Sequence, residues 1–118
     1  MRRIGVVTTS RADYGLLLPV LKRIRASRGL ALQLCVSGTH LSARHGMTVR
    51  EIEADGFAIA ARIPLPLRGN TPEAVAKAMG RATSAFAGVC KRLRPDILLV
   101  LGDRFEMDAA AAAAVPFG

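Results

Sequence analysis

Tryptophan is absent from this sequence of 118 residues, tyrosine occurs once and phenylalanine four times. That scarcity argues against a single-stranded nucleic-acid platform, which stacks bases on aromatic rings. Cysteine is nearly as sparse. Cys35 and Cys90 stand far apart with no CxxC or His-rich spacing, so two buried small hydrophobes is the favoured account over a disulfide or metal pair. No apolar run in the sequence approaches the roughly 20 residues that cross a bilayer, and no membrane partner is expected. Met1, Arg2 and Arg3 followed by an apolar run could open a signal peptide, but Thr8, Thr9, Ser10, Arg11 and Asp13 end that run too early. A cytoplasmic first strand is the expectation.

Acidic residues are few. Nine Asp and Glu face 17 Lys and Arg, a formal net charge of +8. Such a balance invites a nucleic-acid partner, yet the arginines are scattered and no reader motif appears. An anionic small molecule such as a nucleotide suits the charge equally well. A basic nucleic-acid-binding module stays as the non-enzyme alternative, and nucleic acid is not the expected partner.

What is present is an alternation of strand and helix signals. Residues 3–8 (RIGVVT) form a short β-branched run, followed by a polar loop and a helix through about residue 26. Leu17, Val20, Leu21 and Ile24 share one face of that helix. Pro19 sets two alternatives: a helix starting at Asp13 that it must kink, or one starting nearer Gly15 in which it falls close to the first turn. Residues 30–37 (LALQLCVS) are the second strand, a short helix spans about 48–54 before Asp55 and Gly56, and residues 57–63 supply a third strand. A long helix follows, capped by Asn70 or Thr71, with Pro72 and Glu73 in its first turn and an end before Pro95. Its apolar positions, Val75, Ala78, Met79, Ala82, Ala85, Phe86, Val89, Cys90 and Leu93, recur at helical spacing.

Residues 97–101 (ILLVL) are then a continuous apolar run, as a central parallel strand covered on both faces would be. The alanine-rich stretch from Glu106 is the last helix. This β-α-β-α-β-α-β-α order with short connections predicts one α/β domain, a parallel sheet flanked by helices.

Three loops leave the carboxyl ends of predicted strands, at residues 9–14, 38–40 and 102–106, and all are polar. A parallel sheet brings such loops to one edge, where α/β sheets bind ligands. The first precedes a helix N-terminus that favours an anion, and Arg11 adds a full charge. Neither the glycine fingerprint GxGxxG nor the P-loop GxxxxGK follows the first strand. Gly102 lets the chain turn before Asp103, Arg104 and Glu106. Taken alone, Asp103 reads equally as a cap for the following helix, Arg104 and Arg11 as solvated, and His40 as a satisfied loop histidine.

The pieces TTSRADYGLLLPVL, SGTHLSARHGMTVREIEADGF and LLVLGDRFEMDAAAAAA resemble, in order and over nearly the whole chain, the amino-terminal half-domain of the hydrolysing UDP-N-acetylglucosamine 2-epimerases. The likeness is to the sialic-acid-pathway branch, including relatives acting on diacetylbacillosamine nucleotides. It implies a Rossmann-like domain of a two-domain, GT-B type fold, with residues 1–118 as part of the first domain and the nucleotide-gripping second domain absent from this chain. The implied reaction eliminates UDP to give a 2-acetamidoglucal, then adds water to release N-acetylmannosamine.

By the same resemblance Asp103 is the acid/base candidate, while Arg11 and Arg104 contact the nucleotide and Gly15 lies near it. His40 is a cleft residue, and Glu106 either binds or supports its loop. His45 departs from the family pattern and receives no role. No metal or organic cofactor is implied, a homo-oligomer is expected, and the chain by itself is expected to be inactive. A glycosyltransferase of the same architecture is the neighbouring alternative.

Overall fold

The first strand, β1 (Arg2–Thr8), begins with two exposed arginines and buries everything after them. The computed structural model describes residues 1–41, 48–64, 69–102 and 104–118. Around β1 the chain builds one four-stranded parallel sheet in the order β3-β2-β1-β4, from β2 (Leu30–Ser37), β3 (Ile59–Ile63) and β4 (Ile97–Leu99). The pairing of β2 with β3 skips Ala60, since Leu34 opposes Ile59 and Cys35 opposes Ala61. That extra residue is a bulge, and it places Ile59 against one layer and Ala61 against the other.

Helices cover both faces, as expected. On one side α1 (Arg11–Ala26) and α2 (Val49–Ala54) bury Tyr14, Leu17, Leu21, Ile24, Val49 and Ile52 against Ile4, Val6, Leu34 and Val36. On the other, α3 (Pro72–Leu93) and α4 (Phe105–Ala114) bring Phe86, Met107, Ala110 and Ala113 onto Val7, Cys35, Ala61 and Ile63. Neighbouring strand residues such as Val6 and Val7 thus serve opposite layers, as the two-residue period of a strand requires.

Local chemistry sets the helix limits. Thr71 caps α3 by accepting from the Ala74 N–H at 3.1 Å, Pro72 follows at its start, and Arg94 closes it in the left-handed region at φ 48°. The short helix α2 ends at Asp55 and Gly56, the latter at φ 83°. Helix α1 begins at Arg11, earlier than either sequence alternative, because Ser10 and Asp13 form a capping box. Pro19 therefore lies well inside α1. It lacks the N–H that would bond the Gly15 carbonyl, but both residues are on the exposed face, where water reaches that carbonyl.

Within residues 97–101 the strand itself is Ile97–Leu99. Strand β4 has three residues and, among the described residues, pairs with β1; Ile97 and Leu101 are 48% and 38% exposed. Its faces are covered, with Leu99 packed on one layer and Leu98 and Val100 on the other. A continuous apolar run reports covered faces and is silent about hydrogen-bond order. Both cysteines are free and buried. Burial pushes the Cys35 thiol up to about 11, with Cys90 adding to the effect. Among the described residues no helix is long and apolar enough to cross a membrane, and no group of three or more His, Cys, Asp and Glu could hold a metal.

Candidate functional site

Helices α1 and α2 lie on one face of the sheet and α3 and α4 on the other, and the winding reverses between β1 and β4. Open α/β sheets bind ligands at such a reversal, beyond the carboxyl ends of the two strands. Here those ends carry the β1–α1 corner, with Ser10 and Arg11, and the β4–α4 corner, with Gly102 and Arg104.

Asp13 organises the first corner. Its Oδ1 accepts from the Thr8 hydroxyl and, at 3.1 Å, from the Thr9 N–H. Its Oδ2 accepts from the Thr9 N–H and the Ser10 N–H, both at 3.1 Å, and from the Thr9 and Ser10 hydroxyls at 2.6 and 3.2 Å. The Ser10 hydroxyl in turn accepts from the Asp13 N–H at 3.3 Å. A carboxylate only 8% exposed is costly to bury unless it is bonded on all sides, which is the condition met here. The capping box leaves the N–H groups of Arg11 and Ala12 as the donors of α1 that face outward. Arg11 itself is exposed and its guanidinium pairs with Glu51 of α2 at 3.2 Å. Gly15, one turn further on, is exposed, and a side chain there would meet nothing within 4 Å.

His40 sits behind this corner. It belongs to the 3-10 turn Gly38–Leu41 at the end of β2 and is fully buried, with its ring edge-on to Tyr14. Nε2 lies 2.9 Å from the Thr8 hydroxyl and Nδ1 lies 2.8 Å from the Thr48 hydroxyl at the start of α2. Thr8 has one proton and gives it to an acceptor-only carboxylate, so its oxygen accepts from an Nε2–H. In the neutral ring that burial favours, Nδ1 then accepts from Thr48. Burial lowers its pKa, with Asp13, Glu51 and a hydrogen bond at the Ser10 backbone acting in the opposite direction. With both nitrogens taken, His40 supports the edge from inside; it does not line it.

At the second corner Gly102 turns the chain at φ 91°, and Arg104 stands in extended conformation before α4. The Arg104 Nε donates to Glu106 Oε2 at 3.1 Å, and Glu106 is 3% exposed. A buried carboxylate in the first turn of α4 thus orients the guanidinium and leaves its terminal nitrogens for another acceptor. Glu106 is the support for Arg104 more than a surface for a ligand. Asp103 lies outside the described residues, as does His45. A shallow hollow of about 350 Å³ occurs elsewhere, along α3 beside Thr71, Glu73, Ala74, Lys77 and Arg81, and includes none of the candidate residues.

Sequence reading thus selected Arg11, Arg104, Gly15, His40 and Glu106 and missed Asp13, Thr8 and Thr48. The pattern Ser10-x-x-Asp13 ahead of an apolar run was an available capping-box signal. Nothing local announced the threonines, whose partners lie 32 and 8 residues away.

The family model described as UDP-N-acetylglucosamine 2-epimerase matches residues 22–118. A Legionella pneumophila UDP-N,N'-diacetylbacillosamine 2-epimerase (hydrolyzing) is 47% identical over 115 residues, covering 98% of this chain and 30% of its own length. A Campylobacter jejuni GDP/UDP-N,N'-diacetylbacillosamine 2-epimerase (hydrolyzing) is 37% identical, with 94% of this chain and 29% of its own length covered. The structure of a Neisseria meningitidis UDP-GlcNAc 2-epimerase bound to UDP-GlcNAc superposes with a TM-score of 0.74 at 19% identity, covering 97% of this chain and 29% of that one. The chain spans about 30% of the length of the relatives it matches.

Proposed function

The chain belongs to the UDP-N-acetylglucosamine 2-epimerase family, and on that premise we propose that it serves as the amino-terminal part of a hydrolysing 2-epimerase. Its substrate is UDP-N-acetylglucosamine and its products are UDP and N-acetylmannosamine. The observation that carries this reading is the placement of Arg11 and of Arg104, oriented by Glu106, on corners either side of the β1/β4 reversal. Breaking the anomeric C–O bond puts negative charge on the departing diphosphate. Positioned guanidinium groups and outward N–H donors stabilise that charge as it develops. Removing the C2 proton of the sugar, and returning one during hydration, calls for a carboxylate, and Asp103 in the GDR sequence is assigned that acid/base role. The second half of the nucleotide grip is assigned to chain beyond these residues.

A second substrate reading has its own support. The 47% identity to a UDP-N,N'-diacetylbacillosamine enzyme favours the diacetylbacillosamine nucleotide as the alternative sugar. A glycosyltransferase would need an acceptor and would not release free sugar, so the product separates the classes.

The test is made on the full-length protein that this reading requires, incubated with either nucleotide in deuterated water and followed by NMR. The expected result is free UDP and a 2-epimeric free sugar carrying deuterium at C2. Asp103→Asn is expected to lower kcat about 10²- to 10⁴-fold, the usual contribution of a positioned acid/base. Failure of both nucleotides to turn over refutes the reading, and an Asp103→Asn protein with undiminished kcat removes Asp103 from the chemistry.

A further inference from the structure

The buried chain Asp13–Thr8–His40–Thr48 runs from the first turn of α1, across the ends of β1 and β2, to the start of α2. Each member has one proton arrangement that satisfies its neighbours. Asp13 only accepts, so Thr8 must donate to it; Thr8 then accepts from His40 Nε2–H; His40 Nδ1 then accepts from Thr48. With the ring neutral, the direction of every hydrogen bond follows from the Asp13 end.

We propose that Asp13 is a positioning residue of the candidate site, which fixes His40 in its Nε2–H tautomer through Thr8 and thereby locks α1 and α2 in one relative placement. The functional link is the Arg11–Glu51 pair, whose two members lie on α1 and α2. Their separation, and so the availability of Arg11 to an anion, follows the placement of the two helices. That last consequence rests on the proposed nucleotide-binding role of Arg11; the hydrogen-bond order does not.

Asp13→Asn tests the order, because its amide has one preferred orientation. The Oδ2 position receives four donors, two of them backbone N–H groups from Thr9 and Ser10 that cannot reverse. The new NH₂ therefore takes the Oδ1 position, where it faces the Thr8 hydroxyl, which can reverse, and the Thr9 N–H, which keeps its second acceptor at Oδ2. Thr8 then donates to His40 Nε2, and the ring shifts its proton toward Nδ1, from which Thr48 accepts. A general loosening of the fold would not move the tautomer in this direction.

The measurement is long-range ¹H–¹⁵N NMR of the histidine ring in ¹⁵N-labelled protein. Wild type is expected to show His40 protonated at Nε2 alone, and Asp13→Asn to show the Nδ1–H form populated. If Asp13→Asn does not fold, Thr8→Val decides, since it removes the link and spares the capping box; both tautomers should then appear. An Nδ1–H ring in wild type, or an unaltered Nε2–H ring in folded Asp13→Asn or in Thr8→Val, overturns the proposal.

In the full-length enzyme Asp13→Asn should raise KM for the sugar nucleotide by about tenfold or more, with kcat changed much less, the pattern of lost ground-state binding. A shifted tautomer with unchanged KM refutes the positioning role. A wild-type enzyme without turnover refutes the proposed function instead, and the tautomer result stands on its own.

Discussion

Gly38→Ala offers a stability test of the contact that joins the β1–α1 and β2 corners. Gly38 has φ 63°, and a Cβ built there would lie 2.7 Å from the Thr9 carbonyl oxygen and 3.1 Å from the Thr9 Cβ. An L-residue in the left-handed region costs about 1–2 kcal/mol. Forcing a methyl against backbone adds about 1–3 kcal/mol. Thr9 yields poorly, because its N–H and hydroxyl are both held by Asp13. Gly56→Ala isolates the first cost, since Gly56 has φ 83° and its Cβ would meet only the end of the Arg25 side chain at 3.7 Å. Both substitutions reduce unfolded-state entropy equally, so that contribution cancels in the difference. Urea unfolding should therefore show Gly38→Ala less stable than Gly56→Ala by about 1–3 kcal/mol, with a midpoint lower by roughly 1 M at the slopes usual for small domains. Amide shifts of Thr9, Ser10 and Asp13 should move in Gly38→Ala alone. Equal destabilisation by the two substitutions would refute the idea that the corners are in rigid contact.

Two further outcomes follow from other parts of the fold. Pro19→Ala restores the N–H that can bond the Gly15 carbonyl on the exposed face of α1, and should raise stability by about 1–2 kcal/mol after the loss of proline's unfolded-state advantage, as read from thermal unfolding. His40 is buried neutral with its pKa lowered, facing Asp13 and Tyr14 from α1, Glu51 from α2 and the Ser10 backbone from the corner between them. Protonation then favours the unfolded chain. The stability it supports is complete above about pH 6.5, falls as pH drops below that value, and stops falling once the folded-state pKa is passed, with a slope of at most about 1.4 kcal/mol per pH unit. Urea midpoints measured across pH 5–8 for wild type and His40→Gln check this, and the slope attributable to His40 should vanish in the variant.

Much of the fold was legible because it is written in local chemistry. The boundaries of β2 and α3 and the end of α2 follow from runs and caps that need no distant partner. The start of α1 differs from what Pro19 suggests, because the Ser10–Asp13 box outweighs the proline, which falls where solvent tolerates it. The five apolar residues of 97–101 say that helices lie above and below, as they do, and say nothing about what lies beside. Of the site, the charged residues at strand ends were visible as a pattern, Arg11 and Arg104 among them. The part played by His40 was not, since a histidine in a loop looks the same whether it faces water or two threonines. Long-range hydrogen bonds such as Ser37 to the Ile63 carbonyl at 2.7 Å are equally silent in one dimension.

Strand β1 has neighbours on both sides and sends Ile4 and Val6 into one layer and Val7 into the other. Strand β2 shares that position, with Leu34 and Val36 in one layer and Cys35 in the other, so release of either strand would open both cores at once and strip hydrogen bonds from two partners. Amide exchange should accordingly be slowest along the buried halves of these two strands. The corner bearing Ser10 and Arg11 is anchored to the last part of the molecule to let go. The turn that carries His40 hangs from β2, so the contact of His40 with Thr8 joins the two segments that persist longest.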